Sequence, residues 1–189
     1  MPEKKVIVFE KPGPDNTEAT LAAAKERAQE LGIKQIVLAT SSGETALKTA
    51  ETFAGMDVKI IGVTLSAARW EVYTAPDEKK IKEAEGKGVK FLTASHGFIG
   101  NIGTAIREKF GGLTPSEVIG RTYYTFSQGT KVAVEITLMA ADAGLLDMAR
   151  EVIAIGGTGG GADTALVIKP AYTTHFFDLN VCEVICMPR

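Results

Sequence analysis

Hydroxyl and glycine residues crowd two short stretches of this sequence, Thr40-Ser41-Ser42-Gly43-Glu44-Thr45 and Gly156-Gly157-Thr158-Gly159-Gly160-Gly161-Ala162-Asp163-Thr164. The first follows the apolar run Gln35 to Ala39, and apolar residues at helical spacing start at Glu44. Hydroxyl donors, a glycine that lets backbone N–H groups approach, and the partly positive start of a helix therefore fall together. That is the chemistry of an anion pocket, phosphate above all. A plainer reading also fits, because Ser or Thr before a helix is the usual N-cap and Gly eases the turn. Three consecutive hydroxyls exceed what one cap requires. The loop contains no Lys or Arg, and Lys48, just inside the helix, is the cation placed to compensate.

The second stretch has five glycines in the six positions Gly156 to Gly161. Ordering glycine costs conformational entropy, so the run needs a reason. One is a long hairpin loop with several positive φ angles; the other is backbone approaching a ligand, as in phosphate-binding or ring-binding loops. Gly157-x-Gly159-x-x-Ala162 fits the loose dinucleotide fingerprint, but that motif opens a helix and Ala165 to Ile168 reads as strand. The P-loop pattern is absent, which disfavours an ATPase.

A third group, Ser95-His96-Gly97, follows the apolar run Val89 to Thr93. His96 suits a general acid, a general base, a ring contact or a purely structural role. Thr64, after the run Val58 to Val63, and Asn16 and Thr17, after the first apolar run, are placed to reach the same crevice, although Asn16 also reads as a helix cap. His175, beside Phe176 and Phe177, carries less information. Ser95 or Ser42 with His96 and Asp163 would make a triad, but no G-x-S-x-G elbow accompanies them. No cluster has metal-ligand spacing, so no dedicated metal site is expected.

The elements that position these residues alternate. Val6 to Phe9 reads as a strand, Thr17 to Leu31 as a helix stopped at Gly32, Gln35 to Ala39 as a strand, Glu44 to Ala54 as a helix closed by Gly55, and Val58 to Val63 as a strand. A polar helix over Asp77 to Glu85 leads to the run Val89 to Thr93. A loop and helix over Ser95 to Phe110, a helix opened by Thr114-Pro115-Ser116-Glu117, and a long Ala-rich amphipathic helix over Lys131 to Leu146 follow. Glu151 to Ile155 and Ala162 to Ile168 are strands joined too tightly for a helix, hence antiparallel. Val181 to Met187 is a last strand at or near a sheet edge. The sum is one α/β domain, a three-layer α/β/α sandwich with a mostly parallel mixed sheet. In such sheets ligands settle beyond the strand carboxyl ends, where the strand order reverses.

The chain has 189 residues, 45% of them hydrophobic, with a formal net charge of −2. That suffices for one well-filled core and lacks the basic footprint of a nucleic-acid binder. Cys182 and Cys186 stand C-x3-C in an apolar alternating segment, a spacing unlike zinc or redox pairs, and are expected as two buried thiols. The start, Met1-Pro2-Glu3-Lys4-Lys5 before four apolar residues, is too short for a signal peptide, and no segment approaches a membrane span. A cytoplasmic location is expected, with neither nucleic acid nor membrane as partner.

Over most of residues 16 to 170 the arrangement resembles the C-terminal domain of pyruvate kinase, and more closely stand-alone proteins with that fold. Thr40-Ser41-Ser42-Gly43-Glu44-Thr45 matches the kinase form T-x-S-G-x-[ST], which receives a phosphate of the allosteric sugar bisphosphate. Val132-Ala133-Val134-Glu135, Ala140-Ala141-Asp142-Ala143-Gly144 and Glu151 to Gly156 look like that domain's last helix and strand, and Asp163-Thr164 stands where the kinase has Thr-Asn. The barrel domain that performs phosphoryl transfer has no counterpart here, so kinase activity is not implied. The resemblance implies a strand order of 3-2-1-4-5 and, for the stand-alone proteins, bound flavin mononucleotide (FMN). Its phosphate would lie on Thr40, Ser41, Ser42, Gly43 and Thr45, flanked by Gly156 to Thr164 and Ser95 to Gly97. A sensor for another phosphorylated metabolite at the same loop, and a purely structural or oligomerisation domain, are the alternatives. Self-association is expected through Phe176, Phe177 and the terminal strand, residues that would serve equally as core.

Overall fold

The computed structural model describes residues 4–189; Met1, Pro2 and Glu3, part of the stretch weighed above as a leader, lie outside the described residues. Among the described residues seven strands form one sheet. In chain order they are β1 (Ile7–Phe9), β2 (Gln35–Ala39), β3 (Lys59–Val63), β4 (Val89–Leu92), β5 (Val152–Gly156), β6 (Thr164–Lys169) and β7 (Asn180–Pro188). Their spatial order is β1-β7-β6-β5-β2-β3-β4, and β6 alone runs against its neighbours. The order β4-β3-β2-β5-β6 is the expected 3-2-1-4-5, with Leu38 paired to Ile155 across the reversal point.

Alternation within the strands builds two cores. Ile36 and Leu38 face one side with Ile153 and Ile155, covered by helices α1 (Thr17–Leu31), α2 (Glu44–Thr52) and α3 (Glu78–Gly86). Val37, Ile61, Ala154 and Leu166 face the other side, covered by α6 (Gln128–Asp142). Helices α4 (Ile102–Phe110) and α5 (Pro115–Tyr123) complete that layer, α5 packing on α6. The architecture is three-layer α/β/α around a mostly parallel sheet.

Several local expectations change. The first apolar run does not begin a βαβ unit beside β2; β1 joins the far edge, parallel to β7, because the short exposed strand pairs with the terminal segment. Asn16 precedes α1 but its side chain does not cap it. Its amide donates instead to the carbonyls of Lys11 and Gly13, 2.8 and 3.2 Å away, closing the preceding loop. Helix α6 is buried almost all round rather than on one stripe, since the sheet covers one flank and α5 with the turn at 173–178 the other. Cys186 is buried, whereas Cys182 is exposed. Two register shifts in the β6–β7 ladder interrupt the alternation that would have put both thiols on one face. Phe176 is core-packed, edge-on to Phe98 at 5.7 Å, while Phe177 is 90% exposed. Among the described residues no helix is long and apolar enough to cross a membrane.

Candidate functional site

A cleft of about 620 Å3 opens beyond the carboxyl ends of β2, β3 and β5, at the point where the strand order reverses. One wall is the β2–α2 loop. Gly43 there has φ +98, and a Cβ on it would meet Ile81 and Lys80 of α3 at 3.1 to 3.3 Å, so the glycine lets α3 pack onto the loop. The Ser42 carbonyl accepts the Asp77 N–H at 3.0 Å, Thr40 Oγ1 accepts the Gly43 N–H at 3.2 Å, and Ser42 Oγ accepts the Glu44 N–H at 3.4 Å. Among the described residues, no hydrogen bond engages the Ser41 hydroxyl, which lines the cleft with Thr40, Ser42 and Thr45. The first-turn N–H groups of α2 lack intrahelical acceptors, as at any helix start, and favour an anion.

Glu44 also borders the cleft, but its carboxylate is held by Lys80 Nζ at 2.9 Å. That hydrogen bond, together with the charge of Lys80, keeps the Glu44 carboxyl below its usual range. The charge that would oppose a phosphate at this helix start is thus matched by a cation from α3.

The opposite wall is the glycine loop. Gly157, Gly159 and Gly160 line the cleft, as do Thr17 and Thr64. Thr17 Oγ1 donates to the Pro14 carbonyl at 2.5 Å and accepts the Ala162 N–H at 3.0 Å, tying the start of α1 to this loop. Thr64 Oγ1 is bonded to Thr93 Oγ1 at 2.6 Å.

Most other expected residues lie apart from the cleft lining. Asp163 is fully buried, accepting the Gly13 N–H at 3.0 Å and the Thr164 hydroxyl at 2.9 Å. Thr164 is buried against Ser127, 3.1 Å between hydroxyl oxygens. Gly156 is pressed against α6, and Thr158 buries a hydroxyl that has no hydrogen-bond partner among the described residues. Ser95 and Gly97 border a second recess, and His96 stands between the two cavities, lining both. Asn16 closes its own loop. Among the described residues no group of three or more His, Cys, Asp or Glu side chains is arranged to hold a metal.

The third wall, α6, carries polar residues that belong to none of the candidate site loops named above. Lys131 and Glu135, one turn apart, are buried and ion-paired. Glu135 Oε1 also accepts the N–H groups of Phe98 and Ile99 at 2.8 and 3.2 Å. His96 Nδ1 lies 3.8 Å from Glu135 Oε2, and His96 Nε2 accepts the Ser66 N–H at 3.3 Å. Burial lowers the His96 pKa, and the charges of Lys131 and Arg69 add to that against the opposing pull of Glu135. Arg69 lines the cleft and sits 5.8 Å over the ring of Tyr73. The signal available in the sequence was a lysine and a glutamate at i,i+4 inside a helix whose other residues are almost all Ala, Val, Ile, Thr, Leu and Met.

The family model described as the pyruvate kinase alpha/beta domain matches residues 18–168. Among solved structures, a pyruvate kinase from Cryptosporidium parvum is 19% identical, with 89% of this chain and 24% of that chain covered and a TM-score of 0.43. A pyruvate kinase from the same organism in complex with ADP is 19% identical, covering 88% and 24%, with a TM-score of 0.39. This chain spans about a quarter of the length of those kinases. From the match over residues 18–168, this chain belongs to the pyruvate kinase alpha/beta domain family.

Proposed function

We propose that this domain binds a phosphorylated small molecule, FMN being the expected ligand, with the phosphate at the start of α2. The observation that carries the reading is the juxtaposition, across one cleft at the sheet's reversal point, of the hydroxyl-lined start of α2 and the glycine loop after β5. The cleft volume lies within the range of small-molecule sites. Thr40, Ser41, Ser42 and Thr45 would take the phosphate, and Lys48, also in the lining, supplies a cation one turn into the helix.

The test is a visible absorption spectrum of the purified protein, mass identification of any released chromophore, and titration with FMN and riboflavin. Tight FMN binding, abolished by Ser42→Glu, is the expected result. Retention of FMN by Ser42→Glu, or failure of the wild-type protein to bind FMN, overturns the flavin assignment.

A second reading, a sensor for another phosphorylated metabolite, is favoured by Arg69, a cleft cation over the Tyr73 ring that forms no ion pair with a carboxylate among the described residues. A sugar bisphosphate would use both Arg69 and the α2 loop. A thermal-shift screen of phosphate esters separates the readings, because a ligand that binds only the folded state raises its apparent stability.

A further inference from the structure

Lys131 is set into the wall of the cleft with its side chain 5% exposed. Its ammonium offers three donors. Among the described residues one is used, by Glu135 Oε2, and the Tyr124 ring centre lies 5.8 Å from Nζ. Glu135 is by contrast well supplied, with two backbone N–H groups on Oε1 and Lys131 on Oε2. The pair therefore leaves donor capacity on a buried cation that borders an open cleft, a costly arrangement unless an acceptor completes it.

The sign of the missing acceptor follows from Glu135. That carboxylate already compensates the Lys131 charge, so what remains is hydrogen-bonding capacity rather than net positive charge. A second phosphate placed on Lys131 would meet Glu135 as a like charge in a poorly hydrated wall. His96 brings no compensating cation, because its Nε2 is an acceptor for the Ser66 N–H. A neutral carbonyl oxygen takes the free donors without that repulsion. Leu65, Val132 and Met139 share the lining and suit an apolar body behind the carbonyl.

We propose that Lys131 donates to a neutral carbonyl oxygen at the end of the ligand away from its phosphate, so that the site selects phosphate monoesters carrying a carbonyl-bearing body over those without one. The orientation rests on the phosphate reading given above; the role of Lys131 does not.

The experiment is calorimetric titration of FMN, riboflavin and ribitol 5-phosphate, the last being the phosphorylated chain without a ring. The proteins are wild type, Lys131→Met, the double variant Lys131→Met/Glu135→Gln, and Ser42→Glu. The double variant removes both charges and so protects the fold where the single one strands Glu135; circular dichroism checks each. The expected result is that the Lys131 variants weaken FMN and riboflavin at least tenfold and leave ribitol 5-phosphate within twofold, while Ser42→Glu weakens FMN and ribitol 5-phosphate. FMN and riboflavin affinities within twofold of wild type in the double variant overturn the proposal. So does wild-type binding of ribitol 5-phosphate as tight as that of FMN, with the phosphate reading left standing. Equal wild-type affinity for riboflavin and FMN, lost in the Lys131 variants, upholds Lys131 and overturns the phosphate reading. Binding of none of the three overturns both.

Discussion

Gly156 of β5 and Gly129 of α6 meet backbone to backbone: a Cβ on Gly156 would stand 2.3 Å from the Gly129 carbonyl oxygen. A Cβ on Gly129 would in turn fall 2.2 Å from Thr164 Oγ1 and 2.6 Å from Asp163 Oδ1. The helix can lie this close to the sheet because neither residue has a side chain, and that approach brings Lys131 and Glu135 to the cleft. Gly156→Ala is expected to destabilise the fold by about 3 kcal/mol, the upper range for overpacking, because the clashing atom is backbone and cannot rotate away. Urea denaturation measures it. A change below about 0.5 kcal/mol would show that the helix moves freely off the strand.

The pH dependence of stability follows from His96. Burial holds its pKa below the ordinary value of 6.5, with Lys131 and Arg69 acting in the same direction and Glu135 against it. Between its folded pKa and 6.5 the unfolded chain binds the more protons, so stability rises with pH across that window. This contribution is full above about pH 6.5 and is lost as the pH falls through the folded pKa. The imidazole NMR titration is expected to show a midpoint below 6.5, and His96→Gln to flatten the stability profile in that window. A midpoint above 6.5 would mean that Glu135 outweighs burial.

The two thiols should differ sharply in reactivity. Cys182 is exposed, while Cys186 is fully buried and its pKa is pushed up to about 11, chiefly by burial. A thiolate-selective reagent at neutral pH is expected to modify Cys182 alone in the native protein and both residues in denaturant. Native modification of Cys186 at a comparable rate would place the β7 end of the sheet among the readily opened parts of the fold.

Much of this architecture was legible in the sequence, for a physical reason. Apolar runs such as Gln35 to Ala39 are bounded by turn residues, and Gly32, where α1 stops, takes the left-handed conformation (φ 66) that glycine adopts without strain. The hydroxyl loop was legible because strand, turn and helix start are local features. What failed depended on distant partners. The place of β1 is decided by β7, nearly the whole chain away. The glycines from Gly156 onward turned out to serve three needs: Gly156 admits α6, Gly161 admits Pro14 and Thr17, and Gly159 and Gly160 have positive φ with open space beside them. Asp163 looked chemical and is occupied by Gly13 and Thr164. The Lys131–Glu135 pair carried no signal of burial, because i,i+4 spacing alone does not say that α6 is covered on both flanks.

That last pair supplies a prediction independent of any ligand. Glu135 is a buried carboxylate with two backbone donors and one ammonium, so Lys131→Met leaves its charge in place and removes the compensating cation. Breaking one side of such a pair typically costs about 3–5 kcal/mol, whereas replacing both partners removes the stranded charge. Glu135→Gln preserves an oxygen for Phe98 and Ile99 while turning amide hydrogens toward Lys131. The double variant Lys131→Met/Glu135→Gln is therefore expected to be more stable than Lys131→Met, with a coupling energy of about 2 kcal/mol or more in a double-mutant cycle. Additive single effects would mean that water reaches the pair and screens it as on a surface. A large coupling would identify the Lys131–Glu135 pair as a preorganised part of the cleft wall, in place before any ligand arrives.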